Sequence, residues 1–163
     1  MSMPPRWLPE MVNVNGEPDK VFAMLHGIFD ADFRRCGRQL LSLPVWWDRR
    51  VIDPPYEEGF WHLITRKDYG SGDRLLDFRR AERLPWCGPT ITNCSEECVK
   101  VWDYEEGDRR VRTYVWLEAY DYVVILEKQA KRVGTVAYLI TAFHVDGKQK
   151  REDLERKYRK RQP

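Results

Sequence analysis

Phe60-Trp61-His62-Leu63-Ile64-Thr65-Arg66 is the stretch on which the reading of the whole chain turns. Its apolar and aromatic residues run almost unbroken, with a histidine and an arginine set among them. Read as a strand, alternate side chains share a face, so His62, Ile64 and Arg66 point one way and Trp61, Leu63 and Thr65 the other. An imidazole and a guanidinium on one face of a short strand are poor core material. They suit holding a phosphate and moving a proton.

Downstream, Lys67-Asp68-Tyr69-Gly70-Ser71-Gly72 is a loop by composition. Asp73 is the expected N-cap of a helix in which Leu75, Leu76, Phe78, Ala81 and Leu84 make a partial apolar face. Arg79, Arg80 and Arg83 fall off that stripe. Pro85-Trp86 is expected to end the helix and Gly88-Pro89 to turn the chain. From Cys98 the pattern changes to strands, at residues 99–104, 111–117, 122–127 and 136–145. Polar turns at 105–108, Asp121 and 128–134 join them. Such short connections imply antiparallel neighbours, hence a four-stranded meander. Residues 148–161 read as a closing helix, very polar, anchored by Leu154 and Tyr158.

Upstream, residues 1–17 lack periodicity and read as an N-terminal arm. Pro18-Asp19 opens a helix with Val21, Phe22, Leu25, Ile28, Phe29 and Phe33 on one face and Gly37 as its stop. Residues 40–52 hold a strand candidate in which Pro44 marks a start or an edge. Asp53-Pro54-Pro55 breaks it. The expected fold is α+β, with N-terminal helices packed on one face of a four-stranded antiparallel sheet and a closing C-terminal helix. It forms a single domain over residues 18–163.

The 163 residues are 33% charged and 42% hydrophobic, a globular composition with length enough for one core. No apolar run approaches the roughly 20 residues of a membrane span, and residues 1–10 hold no apolar signal region. Cytoplasmic localisation without a membrane partner is expected. Net charge is only +2, but it is unevenly placed: residues 148–163 carry eight Lys/Arg against three acids, and residues 73–83 four Arg against three. Such clusters make either a local anion-binding patch or a solvated helix face with i,i+4 pairs. Cys36, Cys87, Cys94 and Cys98 contain no CxxC, so reduced thiols are expected, with no metal site and no cofactor.

No Gly-rich phosphate loop, GxSxG elbow, HExxH or dinucleotide fingerprint occurs. The chemistry-bearing residues that remain are His62, Arg66, Arg79, Arg80, Glu82, Arg83, Thr141 and His144. His62 suits general acid–base work, or else is a core histidine bonded beside Trp61. Arg66 and Arg83 suit a phosphate clamp, or else pair with Glu82, Asp68 or Asp73. Thr141 lies inside an apolar run, where its hydroxyl needs a partner, a phosphate oxygen or the sheet itself. Thr141 and His144 sit at odd spacing and face opposite ways unless a bulge intervenes. Arg79, Arg80, Lys148, Lys150 and Arg151 are the candidate nucleic-acid-binding cations. Trp86 and Tyr69 are candidate stacking platforms for an unpaired base, with core packing the alternative for Trp86.

The segments 60–66, Arg80-Ala81-Glu82-Arg83-Leu84-Pro85-Trp86, Tyr114-Val115-Trp116-Leu117, 121–126 and Tyr138-Leu139-Ile140-Thr141-Ala142-Phe143 together resemble a phage-associated branch of the barnase–EndoU–colicin–RelE (BECR) nuclease superfamily, over roughly residues 20–160. The resemblance implies helices packed on a four-stranded antiparallel sheet. It also implies metal-independent RNA cleavage in toxins, conflict systems or mobile elements, with RNA as substrate and an antitoxin or immunity protein as a neutralising partner. It matches His62 to the family's strand histidine, Arg66 and Arg83 to its phosphate-binding arginines, and Thr141 to its last-strand hydroxyl. His144 is the candidate for the second histidine of some members. The rival reading is a non-catalytic module that binds nucleic acid or protein through the same basic and aromatic face.

Overall fold

The computed structural model describes residues 3–163; the first two residues of the N-terminal arm lie outside that range. Helix α1 (Pro18–Phe29) starts with proline in its first turn, where no backbone N–H is missed. It buries Val21, Leu25 and Phe29, as the spacing predicts, and runs on into a π-helical turn, Asp30–Arg35. Gly37 follows at φ +63°, the left-handed conformation that glycine adopts without steric cost.

Strands β1 (Gln39–Leu40) and β2 (Leu43–Trp46) come next, then α2 (Glu58–Ile64) and a hairpin of β3 (Thr65–Lys67) and β4 (Arg74–Leu76). Helices α3 (Phe78–Glu82) and α4 (Leu84–Thr92) lead to β5 (Lys100–Glu105), β6 (Val111–Leu117), β7 (Tyr122–Lys131), β8 (Gly134–His144) and α5 (Lys148–Arg159).

The central segment is therefore helical where a strand was expected. Residues Glu58 to Trp61 and Leu63 to Thr65 are all buried, and His62 alone in that run is exposed. A helix enclosed on nearly every side is apolar all round and carries no clean 3.6-residue signal, so periodicity does not separate it from a buried strand. Gly59 permits its close approach: an added Cβ would lie 2.8 Å from Trp47 Cδ1. Phe29, Phe33, Trp47, Phe60 and Trp61 pack edge-on or tilted around this contact. Truncating one of the larger buried rings to alanine costs about 3–5 kcal/mol.

The expected helix at Asp73 also starts later. Asp73 lies in the turn of the β3–β4 hairpin, and Asp77 is the N-cap, its carboxylate accepting from Arg80 N at 3.2 Å. Pro85 opens α4 instead of ending a helix, being tolerated in a first turn, and Gly88-Pro89 lie within α4.

The sheet has six strands, not four, in the order β1-β2-β8-β7-β6-β5, and it is mixed. Strands β5 to β8 form the expected antiparallel meander. Strand β2 adds in parallel to the free edge of β8 through just two positions, Val45↔Ala137 and Trp46↔Tyr138. Some ninety residues separate these partners in sequence, and no turn chemistry announces such a pairing. Both faces are covered. One packs Val115, Leu117, Val124, Leu126 and Leu139 against the N-terminal helices. The other packs Trp102, Trp116, Val123 and Ile125 against Leu154 and Tyr158 of α5. The near-continuous apolar run of β7 fits a strand enclosed on two sides.

The arm crosses α3 and α4. Val12 N donates to Glu82 O, and Trp86 Nε1 donates to Pro9 O. No helix among the described residues is long and apolar enough to cross a membrane.

Candidate functional site

The site forms where β2 leaves β8. Past Tyr138, β8 carries a bulge: Ile125 faces Thr141 while Leu126 faces Leu139, so Ile140 is the extra residue. The bulge interrupts alternation and aims Thr141 at the end of α2. A helix end leaves backbone carbonyls without intrahelical donors. Here Thr65 Oγ1 donates to Trp61 O at 2.6 Å and Thr141 Oγ1 to His62 O at 2.9 Å. Asp77 N donates to Ile64 O at 2.8 Å. Arg80 Nη1 donates to Thr65 O at 2.8 Å and reaches His62 O at 3.2 Å. A cation at a helix C-terminus is also favoured by the helix dipole. Arg80 thus joins α3, α2 and β8 at one point.

Above this junction lies an open cleft of about 490 Å³. His62, Arg66, Lys67, Arg74, Arg80, Thr141 and Lys150 line it, with Tyr69 and Asp77 at its walls. The cations differ in their freedom. Arg74 is bound to Glu58 through both carboxylate oxygens, at 2.8 and 3.0 Å, and Arg80 has Asp77 at 3.4 Å. Arg66, Lys67 and Lys150 make no ion pair among the described residues. These three carry the net positive field of the cleft.

His62 is 45% exposed along its side chain. Partial burial lowers its pKa, opposed by Glu58, whose Oε1 lies 4.0 Å from Nε2. The ring is therefore largely neutral at pH 7, the form in which it accepts a proton. Arg74 holds the Glu58 carboxyl below its usual range, so Glu58 stays an anion beside the ring.

Other candidates lie elsewhere. Arg83 is 7% exposed, donates to Arg79 O at 3.1 Å and sits over the Trp86 ring, outside the His62 cleft. Trp86 is itself buried against Tyr122, so the core alternative describes it. Glu82 lies 4.0 Å from Arg83. Lys148 faces solvent and pairs with Glu152, and Arg151 pairs with Asp121 and Glu155, as on a solvated helix. Of the three basic residues singled out on α5, Lys150 alone reaches the cleft. Tyr69 is fully exposed at the hairpin tip.

His144 lines a neighbouring cleft of about 410 Å³ together with Arg66, Arg79 and Lys150. Its Nδ1 is buried without a hydrogen-bond partner, and burial, then Arg83 and Arg79, push its pKa down. The participation of Lys67, Arg74 and Glu58 escaped sequence reading. The i,i+4 spacing of Glu58 and His62 on a helix was the available signal.

The four cysteines are free thiols, and burial pushes Cys87 up to about 12, which leaves it inert as a nucleophile. His26, Asp30 and Glu57 come together outside the lining of the His62 cleft, but Arg34 already bridges the two carboxylates. Compared with known proteins, the chain matches no family model, no curated protein and no solved structure.

Proposed function

We propose that the protein is a metal-independent endoribonuclease of toxin or mobile-element type, with the His62 cleft as its active site. The observation that carries this reading is the meeting of a neutral histidine with three unpaired cations, Arg66, Lys67 and Lys150, in one open cleft. His62 takes the proton of a ribose 2′-hydroxyl. The 2′-oxygen bonds to the adjacent phosphorus, the P–O5′ bond breaks, and the leaving oxygen takes a proton from the Lys150 ammonium. Arg66 and Lys67 stabilise the dianionic phosphorane. Glu58 steadies the imidazolium that forms. The antiparallel meander β5–β8 with helices before it supports the BECR-like reading, and β1 and β2 extend that core, whereas His62 lies on helix α2 and so does not match the family's strand histidine.

One observation favours the rival binding module: Arg80 and Thr141 are already bonded to the end of α2 and add little to a transition state. Incubation with total RNA in EDTA separates the two readings. Fragments with 2′,3′-cyclic phosphate ends from the native protein, and none from His62→Ala, support the enzyme. Intact RNA from both, with salt-sensitive binding retained, supports the module.

A further inference from the structure

Two clefts meet along one line of cations. The His62 cleft and the His144 cleft share Arg66, Asp77 and Lys150 as a common wall. The second cleft adds Arg79, which makes no ion pair among the described residues, and the unpartnered ring nitrogen of His144. Acids are present too. Asp77 is engaged with Arg80, through both its side chain and the α3 cap, whereas Asp146 is exposed at the rim. The unpaired charge of the line, Lys67, Arg66, Lys150 and Arg79, therefore stays positive. At its two ends stand the most exposed aromatic rings of the protein, Tyr69 beside the first cleft at 103% and Phe78 beside the second at 54%.

Phe78 is not the anchor of α3. It occupies the first turn of α3, where Ala81 is the buried residue and Asp77 supplies the cap. A large apolar ring held open on a basic line offers a stacking face, and only an unpaired base presents its own face to it.

We propose that the His144 cleft is a second subsite for the same strand: Arg79 holds a further phosphate, next to the one at the shared wall of Arg66 and Lys150, and Phe78 stacks its base. The ligand is then a single-stranded segment longer than a dinucleotide, laid from Tyr69 to Phe78 across Lys150. This rests on the reading of the His62 cleft as an RNA site.

The test is fluorescence anisotropy with RNA dinucleotide, RNA hexanucleotide and an RNA duplex, using the full chain and the surface variants Lys67→Ala, Arg79→Ala and Phe78→Ala. Lys67 lines only the first cleft, Arg79 and Phe78 only the second. The expected result is that Lys67→Ala weakens both single-stranded probes. Phe78→Ala and Arg79→Ala should each weaken the hexanucleotide about tenfold and leave the dinucleotide unchanged, and the duplex should bind more weakly than the hexanucleotide. Loss with Lys67→Ala alone, or a duplex that binds as well as the single strand, overturns the second subsite and leaves the first standing. Indifference to all three variants overturns both.

Discussion

Arg80 and Arg66 line the same cleft from opposite situations. Arg80, on α3, points inward, and its guanidinium meets the carbonyls of His62 and Thr65 and the side chains of Asp77 and Thr141. Arg66, one residue into β3, makes no ion pair among the described residues and faces solvent. The first arginine holds three elements together, and the second is available to a ligand. A cation in a cleft is evidence of binding only after its existing partners have been counted. By that standard Lys67, Lys150 and Arg79 belong with Arg66, and Arg74 and Arg83 with Arg80.

Replacing His62 with alanine gives the largest expected effect. Cleavage should fall by about 10²–10⁴-fold with RNA affinity nearly unchanged, as single-turnover rates and anisotropy would report. Equal loss of affinity would make His62 a binding residue and erase the division of labour. Arg80→Ala comes next. It takes the guanidinium from Thr65 O and from His62 O, which keeps Thr141 as a donor, and should cost about 2–3 kcal/mol, a fall of about 4–12 °C in melting temperature. Arg66→Ala should do the reverse, changing stability by less than about 0.5 kcal/mol. Its RNA affinity should drop about tenfold, or ~1.4 kcal/mol, with the salt slope shallower by about 0.7. A melting shift for Arg66→Ala as large as that for Arg80→Ala would collapse the distinction.

Thr141→Val removes one donor to His62 O while Arg80 still reaches that oxygen, so about 1 kcal/mol is expected in chemical unfolding. The smallest effect is on pH dependence. The folded pKa of His62 lies below its unfolded value, so protonation favours the unfolded chain. The stability this contributes is complete above the unfolded pKa and declines as pH falls through the lowered folded one. His144 shares that direction. The acid limb of the cleavage profile should accordingly have its midpoint below the ordinary histidine value, and His62→Ala should abolish that limb.

The legible part of the fold was the part made of local contacts. Hairpins at Glu106–Arg110 and Asp121, the apolar runs of β7 and β8, and the Leu154–Tyr158 anchor of α5 each depend on residues near in sequence or on turn chemistry. The candidate site was legible in part: His62, Arg66 and Lys150 line one cleft with Thr141, whereas Arg83 does not join them. Thr141 reaches His62 because of a bulge at Ile140, in an apolar run with no glycine to flag it.

The sequence by itself determined the class of the molecule: helices, then a meander, then a polar helix, with basic residues near both the centre and the end of the chain. Periodicity and turn residues act over a few positions, and they suffice for that. Tertiary structure alone decided that residues 58–64 are a helix, that β2 joins β8 in parallel, and which cations keep their charge free. Those outcomes depend on burial from all sides and on partners up to some ninety positions away, for which a single sequence carries no local signal.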